Sequence, residues 1–240
     1  MPHTFFAPDL AATSYTLPED ESKHAVRVLR LAAGDIVGLV NGRGGVYQAE
    51  VEAADAKRCR LRIVSEQQVP RRAYEAHVAV APTKNLDRME WLVEKAVEIG
   101  VDTLTFLRCA RSERRELKLE RLQKIAISAL KQSGQAWLPV LSELTDFADF
   151  LPITDSATTF IAHLAEGERT AFSQVAATGA GCCILIGPEG DFTPQEIEAA
   201  LTRGIRPVTL GASRLRTETA ALAALHTMHV ARELRPEALR

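Results

Sequence analysis

CCILIGPEGDFTPQEIEAALTRGIRPVTLGASRLRTET, residues 182–219, decides the fold because it holds one device twice. In each copy a short apolar strand empties into a glycine-bearing loop, and a helix follows. Residues 182–186 are an unbroken apolar run, too short for a helix and bounded by Gly181 and Gly187. The loop Gly187-Pro188-Glu189-Gly190 comes next, and Thr193-Pro194-Gln195-Glu196 then supplies an N-cap, a proline at the first helical position and a capping-box glutamate. The second copy is a strand at 207–210, a loop at 211–216 and a helix from about Thr217. Glycines at the carboxyl ends of neighbouring strands leave bare backbone amides and carbonyls for a ligand, which is where open α/β sheets keep their sites.

Outward from this stretch, strand and helix signals alternate. Residues 77–81 read as a strand, and 86–99 as a helix with apolar positions at 86, 89, 93, 96 and 97, closed by Gly100. A strand at 102–107 precedes a second helix with its stripe at Leu122, Ile125, Ala126, Ala129 and Leu130, ended by Gln132-Ser133-Gly134-Gln135. A further strand is expected at 158–163, and a last helix, rich in alanine and leucine, at 218–234. That composition suits tight packing, inside the domain or against a second subunit. The pattern predicts a mostly parallel sheet covered on both faces.

Residues 66–74, with Pro70 and Arg71-Arg72, form the best linker, so the domains are set at 1–69 and 70–240. The first reads as β-rich. Gly34-Asp35 turns the segment 26–31 into a strand at 36–40, Asn41-Gly42-Arg43-Gly44-Gly45 is a hairpin turn into 46–51, and 59–64 is the next strand. Short strands joined by tight turns suggest a small barrel.

At 240 residues, 46% hydrophobic and 25% charged, the chain has the composition of a globular protein with a proper core. No apolar run reaches transmembrane length and the start lacks a signal-peptide layout, so a cytoplasmic protein is expected. Cys59, Cys109, Cys182 and Cys183 have no ligand spacing and read as reduced packing residues, with no metal. The absence of GxxxxGK[ST] and GxGxxG leaves nucleotide hydrolysis and dinucleotide binding unsupported.

A net charge of −2 does not bear on nucleic acid, but local charge does. Residues 108–124 hold seven basic side chains against three acidic ones, either a solvated helix face or a polyanion contact. Arg58, Arg60 and Arg62 share one strand face, which reads equally as a guarded edge or a phosphate-contacting surface. GPEG alone is an ordinary turn; the second loop and the sequel Leu215-Arg216-Thr217-Glu218-Thr219-Ala220 are what raise it above one. Arg216 then reads as a salt-bridge or carbonyl clamp, and Glu218 as first-turn charge complementing the helix dipole, unless a ligand claims them.

IGPEGDFTPQEIEAA, VTLGASRLRTETAALAA, KNLDRMEWLVEKAVEIGVDTL and KQSGQAWLP together resemble the RsmE-type methyltransferases of the SPOUT superfamily, which methylate N3 of a uridine in 16S ribosomal RNA. The likeness extends to an amino-terminal domain similar to PUA RNA-binding barrels, carried by His24, Arg27 to Arg30, Gly34-Asp35 and Asn41-Gly42. It implies a parallel-sheet methyltransferase domain with a carboxyl-terminal trefoil knot. It implies S-adenosylmethionine bound by Leu185, Ile186, Gly187, Glu189 and Gly190, by Leu210, Gly211, Leu215, Arg216, Thr219 and Ala220, and by His163 and Leu164 on a third side. A homodimer with its site at the subunit interface is implied too, acting on 16S rRNA within the small ribosomal subunit. Two departures stand out: Asp191 where the family commonly has a second glycine after GPEG, and Gln135 where it commonly has arginine.

Uracil N3 carries a proton at neutral pH, so its methylation needs a proton acceptor or a cation for the resulting oxyanion. Arg216 is the expected cation, and Glu218 or Asp191 the expected acceptor. Arg27, Arg30, Lys84, Arg88, Arg108, Arg111 and Arg114 are the expected contacts to the RNA backbone. A knotted methyltransferase acting on another RNA such as tRNA, or a non-catalytic RNA-binding assembly factor, would share the same motifs.

Overall fold

The structure, a computed structural model, describes residues 3–11, 13–177 and 179–235. Residues 1, 2 and 236–240, the outer ends of the two expected domains, lie outside them. The chain divides into two compact units, one up to Arg71 with Ile127–Leu138, the other Arg72–Ala126 with the chain from Pro139 onward.

The first unit is built on β1 (Thr4–Phe6), β2 (Ser14–Thr16), β3 (Ile36–Val40), β4 (Gly45–Ala53) and β5 (Arg60–Gln68). They form a mixed sheet in the order β1-β3-β4-β5-β2, with only the β1–β3 pair parallel. The hairpin read at Asn41 to Gly45 is present, with Val40 opposite Val46. Gly44 sits at φ +90°, and a Cβ there would lie 2.6 Å from the Trp137 ring and 2.7 Å from the Val69 carbonyl, so only glycine fits. Phe5, Val37, Leu39, Ala49, Val51 and Leu61 fill the core by strand alternation.

Two readings need correction. The segment before Gly34 is helical: α1 (Glu19–Lys23) runs straight into a π-helical turn over His24–Val28. Three acidic residues in the first turn and burial of Ser22 and Ala25 favour that helix over strand alternation. Nor is the arginine-bearing strand an edge, because β5 lies between β4 and β2. Its arginines face acids across the β4 pairing, Arg60 with Glu52 at 3.0 Å and Arg62 with Glu50 at 2.5 Å.

The second unit holds seven parallel strands: β6 (Glu75–Val80), β7 (Thr103–Arg108), β8 (Val140–Asp146), β9 (Thr159–Ala162), β10 (Thr170–Ala171), β11 (Gly181–Ile186) and β12 (Arg206–Thr209). Their order is β10-β12-β9-β11-β6-β7-β8. Its helices are α2 (Leu86–Ile99), the first half of α3 (Leu119–Ser133), whose residues from Ile127 on belong to the first unit, α4 (Phe147–Phe150), α5 (Phe172–Val175), α6 (Pro194–Thr202) and α7 (Thr217–Glu233). Helix α2 starts on an Asn85 cap and stops at Gly100, left-handed at φ 103°. Thr193 and Glu196 make the capping box of α6, each side chain reaching the other's backbone amide. Ala79, Leu107, Phe147, Phe150, Ile161, Leu185, Phe192 and Ile197 share one core cluster, and α7 packs against α2, β6 and β11. The four cysteines are buried free thiols; burial pushes Cys182 up to about 12 and raises the others, so they remain protonated packing groups. Among the described residues no helix is long and apolar enough to cross a membrane, and no cluster of three or more metal-binding side chains occurs.

Candidate functional site

The two glycine loops do not leave neighbouring strands. Strand β9 stands between β11 and β12, with Ala162 opposite both Ile186 and Val208, so three strands end level with one another. Beyond their carboxyl ends His163-Leu164, the loop after Ile186 and the loop after Thr209 enclose one cavity of about 490 Å³. That volume is in the range of small-molecule sites, and Ile186, Val208, Leu210 and Leu215 give it apolar walls between stretches of loop backbone. Gly211 lines it at φ +127°, and a Cβ there would meet nothing within 4 Å, so the space beside it is open to a ligand.

Specific contacts fix the loops. The buried Thr217 hydroxyl, at the first residue of α7, donates to the Gly187 carbonyl at 3.1 Å and ties the second loop's exit to the first loop's entrance. A Cβ on Gly187 would lie 3.1 Å from the Phe192 backbone nitrogen, so any larger residue would have to push this turn apart by a few tenths of an ångström. Arg111 donates from Nη1 to the carbonyls of Gly190 (2.7 Å) and Phe192 (3.3 Å). Between those two carbonyls stands Asp191, a non-glycine residue at φ 63°. Its carboxylate accepts from the amides of Leu164 and Phe192, both at 2.8 Å. Thus Asp191, where the resemblance leads one to expect a glycine, keeps a glycine-like backbone and joins the GPEG loop to the end of β9.

Of the expected ligand-binding residues, His163, Leu164, Ile186, Gly187, Glu189, Leu210, Gly211, Leu215, Arg216 and Ala220 line the cavity. Leu185, Gly190 and Thr219 do not. Alternation along β11 turns Leu185 into the core while Ile186 faces the cavity. Asp191 also lines the cavity, and burial holds the nearby His163 imidazole below its ordinary range against the pull of the Asp191 carboxylate. Arg216 occupies the N-cap position of α7, exposed on the cavity wall; its carbonyl accepts from the Ala220 amide, while its guanidinium has no hydrogen bond or ion pair among the described residues. Glu218 is buried and off the cavity: Oε1 lies 3.7 Å from Arg88 Nη1, and Oε2 is buried without a hydrogen-bond partner.

Sequence reasoning passed over Arg169, Thr209, Ser213, Arg214 and Thr217, which also line the cavity. Those in the second loop sat inside the quoted motif. Arg169, whose Nη1 donates to the His163 carbonyl at 2.6 Å, lies in a stretch without pattern.

The expected RNA-contacting cations are mostly engaged within the protein. Arg108 grips both carboxylate oxygens of Asp146, Lys84 pairs with Glu113 at 2.9 Å, and Arg114 donates to the carbonyls of Thr83 and Lys84. Arg88 faces Glu218, and Arg111 holds the GPEG loop. In the first unit Arg27 and Arg30 are exposed, with no side-chain hydrogen bond or ion pair among the described residues, Arg30 at φ 57°.

Residues 70–229 match the family described as the RNA methyltransferase domain, and residues 17–64 match the RNA methyltransferase PUA domain. A "Ribosomal RNA small subunit methyltransferase E" of Mycobacterium tuberculosis is 30% identical, over 93% of this chain and 88% of its own. The crystal structure of a probable rRNA-methyltransferase from Porphyromonas gingivalis superposes with a TM-score of 0.90 at 43% identity, covering 98% of this chain and 99% of that one. The ribosomal RNA small subunit methyltransferase E from Neisseria gonorrhoeae, solved bound to S-adenosyl methionine, superposes at 0.86 with 28% identity, covering 96% of this chain and 97% of its own.

Proposed function

Because the chain belongs to the RNA methyltransferase family, with its PUA domain ahead of the catalytic one, we propose that it methylates N3 of a uridine in 16S ribosomal RNA, using S-adenosylmethionine. The observation that carries this reading is the cavity at three level strand ends, walled by loop backbone and aliphatic side chains, with the Arg216 guanidinium at its side. The donor set suits the methyl donor: backbone amides and carbonyls for an adenine edge, Ile186, Leu210 and Leu215 for its faces, and cationic side chains for a carboxylate. The knotted threading and the homodimer that the family resemblance implies belong to the same proposal, as do the cytoplasm and the small ribosomal subunit as its setting.

Bound S-adenosylmethionine supplies a methyl group already activated on a sulfonium. What the protein adds is position and charge. Arg216, its guanidinium free of internal partners, stabilises the negative charge that develops on a uracil oxygen as the N3 proton leaves. Of the two candidate acceptors, Asp191 lines the cavity and Glu218 does not, so we assign the proton to Asp191. Glu218 anchors the start of α7 through Arg88. Arg27 and Arg30 hold RNA phosphates, and the engaged cations of the second unit set the shape of the loops.

The test is mass spectrometry of ribosomal RNA nucleosides from cells lacking this gene. Loss of 3-methyluridine from 16S rRNA, restored by purified protein with S-adenosylmethionine, is expected. Unchanged 3-methyluridine refutes the reading; loss of a methylated nucleoside from tRNA instead moves the substrate.

A further inference from the structure

A second hollow of about 580 Å³ adjoins the cavity just described, sharing Leu164, Asp191 and Arg214 with it. It lies over the face of α6, floored by Phe192, Pro194 and Ile197 and flanked by Leu201. Two large aliphatic side chains stand in water at its sides, Leu164 at 52% exposure and Leu201 at 43%. Of its four charged groups, two are already engaged: Asp191 by the Leu164 and Phe192 amides, Arg111 by two carbonyls. Arg214 and Glu198 remain exposed and without a hydrogen bond or ion pair among the described residues.

We propose that this hollow receives the acceptor nucleotide: a pyrimidine ring on the apolar floor, with its flanking phosphate at Arg214. This rests on the function proposed above. Methyl transfer is an in-line displacement, so the accepting nitrogen must approach the donor to roughly 3 Å, and the acceptor must occupy space continuous with the donor's cavity. The hollow lies beside that cavity, with Leu164, Asp191 and Arg214 in the walls of both. An uncharged, flat base matches a floor of apolar side chains, and an extruded nucleotide presents that ring together with one phosphate. The unpaired guanidinium at the seam is where the phosphate goes. Asp191, the residue assigned to the N3 proton, is held at the seam by the Leu164 and Phe192 amides and lines both the cavity and the hollow. In the step the N3–H bond breaks to that carboxylate, the N3 lone pair forms the new N–C bond, and the sulfur keeps the electrons of the broken S–C bond.

Leu201 is exposed, so Leu201→Trp fills the hollow without disturbing the core, and Leu201→Ala opens it. The assays are calorimetric binding of S-adenosylmethionine, methyl transfer to 16S rRNA and to small subunits from cells lacking the gene, and sedimentation for oligomeric state. Leu201→Trp is expected to bind S-adenosylmethionine within twofold of wild type, to keep its oligomeric state, and to lose at least tenfold in kcat/KM for RNA. Leu201→Ala and Arg214→Gln are expected to raise KM for RNA more than they lower kcat. Wild-type kcat/KM in Leu201→Trp overturns the inference and leaves the proposed function standing. A shift from dimer to monomer, with kcat/KM for RNA per chain unchanged, also overturns it and makes the hollow a contact between two copies of this chain. A wild-type protein that methylates neither RNA refutes the proposed function and this inference together.

Discussion

Thr217→Val tests whether the site is held together by the tie between its two loops. Thr217 is 5% exposed, and its hydroxyl is the donor to the Gly187 carbonyl at 3.1 Å. Valine has nearly the same shape, so packing is kept and only the hydrogen bond is lost. A buried carbonyl left without its donor costs about 1–3 kcal/mol. Because the bond joins the start of α7 to the loop after β11, part of that loss falls on the folded state and part on the cavity. The urea midpoint should therefore drop by the equivalent of part of that about 1–3 kcal/mol, with an unchanged slope. The dissociation constant for S-adenosylmethionine should rise about tenfold, corresponding to about 1.4 kcal/mol of that loss. Thr217→Ser, which keeps the hydroxyl, should recover most of both. Urea melts and calorimetry on the three proteins suffice. A Thr217→Val protein that melts and binds like wild type would refute the reasoning; lost stability with unchanged affinity would restrict the tie to anchoring the helix.

Stability should also fall with acid. Burial is the main cause holding His77 and His229 down to about 4; the Glu75 carboxylate opposes it at His77, and the Arg72 guanidinium adds to it at His229. In the unfolded chain both titrate near 6.5, so between 6.5 and 4 the unfolded state binds more protons and stability is lost as pH falls. The loss is at most about 3 kcal/mol for His77 and less for His229, which water reaches; a flat urea midpoint from pH 7 to 4.5 would contradict this. Arg216→Ala should keep cofactor binding within a few-fold and cut turnover by about 10²–10³, the usual scale for removing one oxyanion donor; near-normal turnover with bound cofactor would rule out its role. Asp191→Asn should lose about 10²-fold or more in turnover with an altered pH–rate profile, whereas Glu218→Gln should keep the wild-type profile; unchanged profiles in both would remove the carboxylates from the reaction.

Much of the fold was legible in local patterns. The limits of α2 followed from a 3.6-residue apolar stripe ending at Gly100, and the start of α6 from a capping box, because both signals are satisfied within a single turn of backbone. The hairpin at Asn41 to Gly45 was equally local. The segment before Gly34 was not, since its apolar residues fit strand or helix and burial of Ser22 and Ala25 chose the helix. The basic run at 108–124 looked like one surface, yet Arg108, Arg111 and Arg114 each find an acid or a carbonyl far along the chain. Partners that distant leave no trace in local charge counts.

The sequence by itself determined the two strand–loop–helix units, the helix limits and the family, because each rests on contacts a few residues apart or on a motif carried whole. Only the tertiary structure decided that β9 lies between the two loop-bearing strands, that Leu185 turns inward while Ile186 faces the cavity, and that Asp191 clasps the Leu164 amide. Strand order and long-range hydrogen bonds are set by how whole elements pack, and parallel strands, whose neighbours come through crossovers, carry no local record of who pairs with whom.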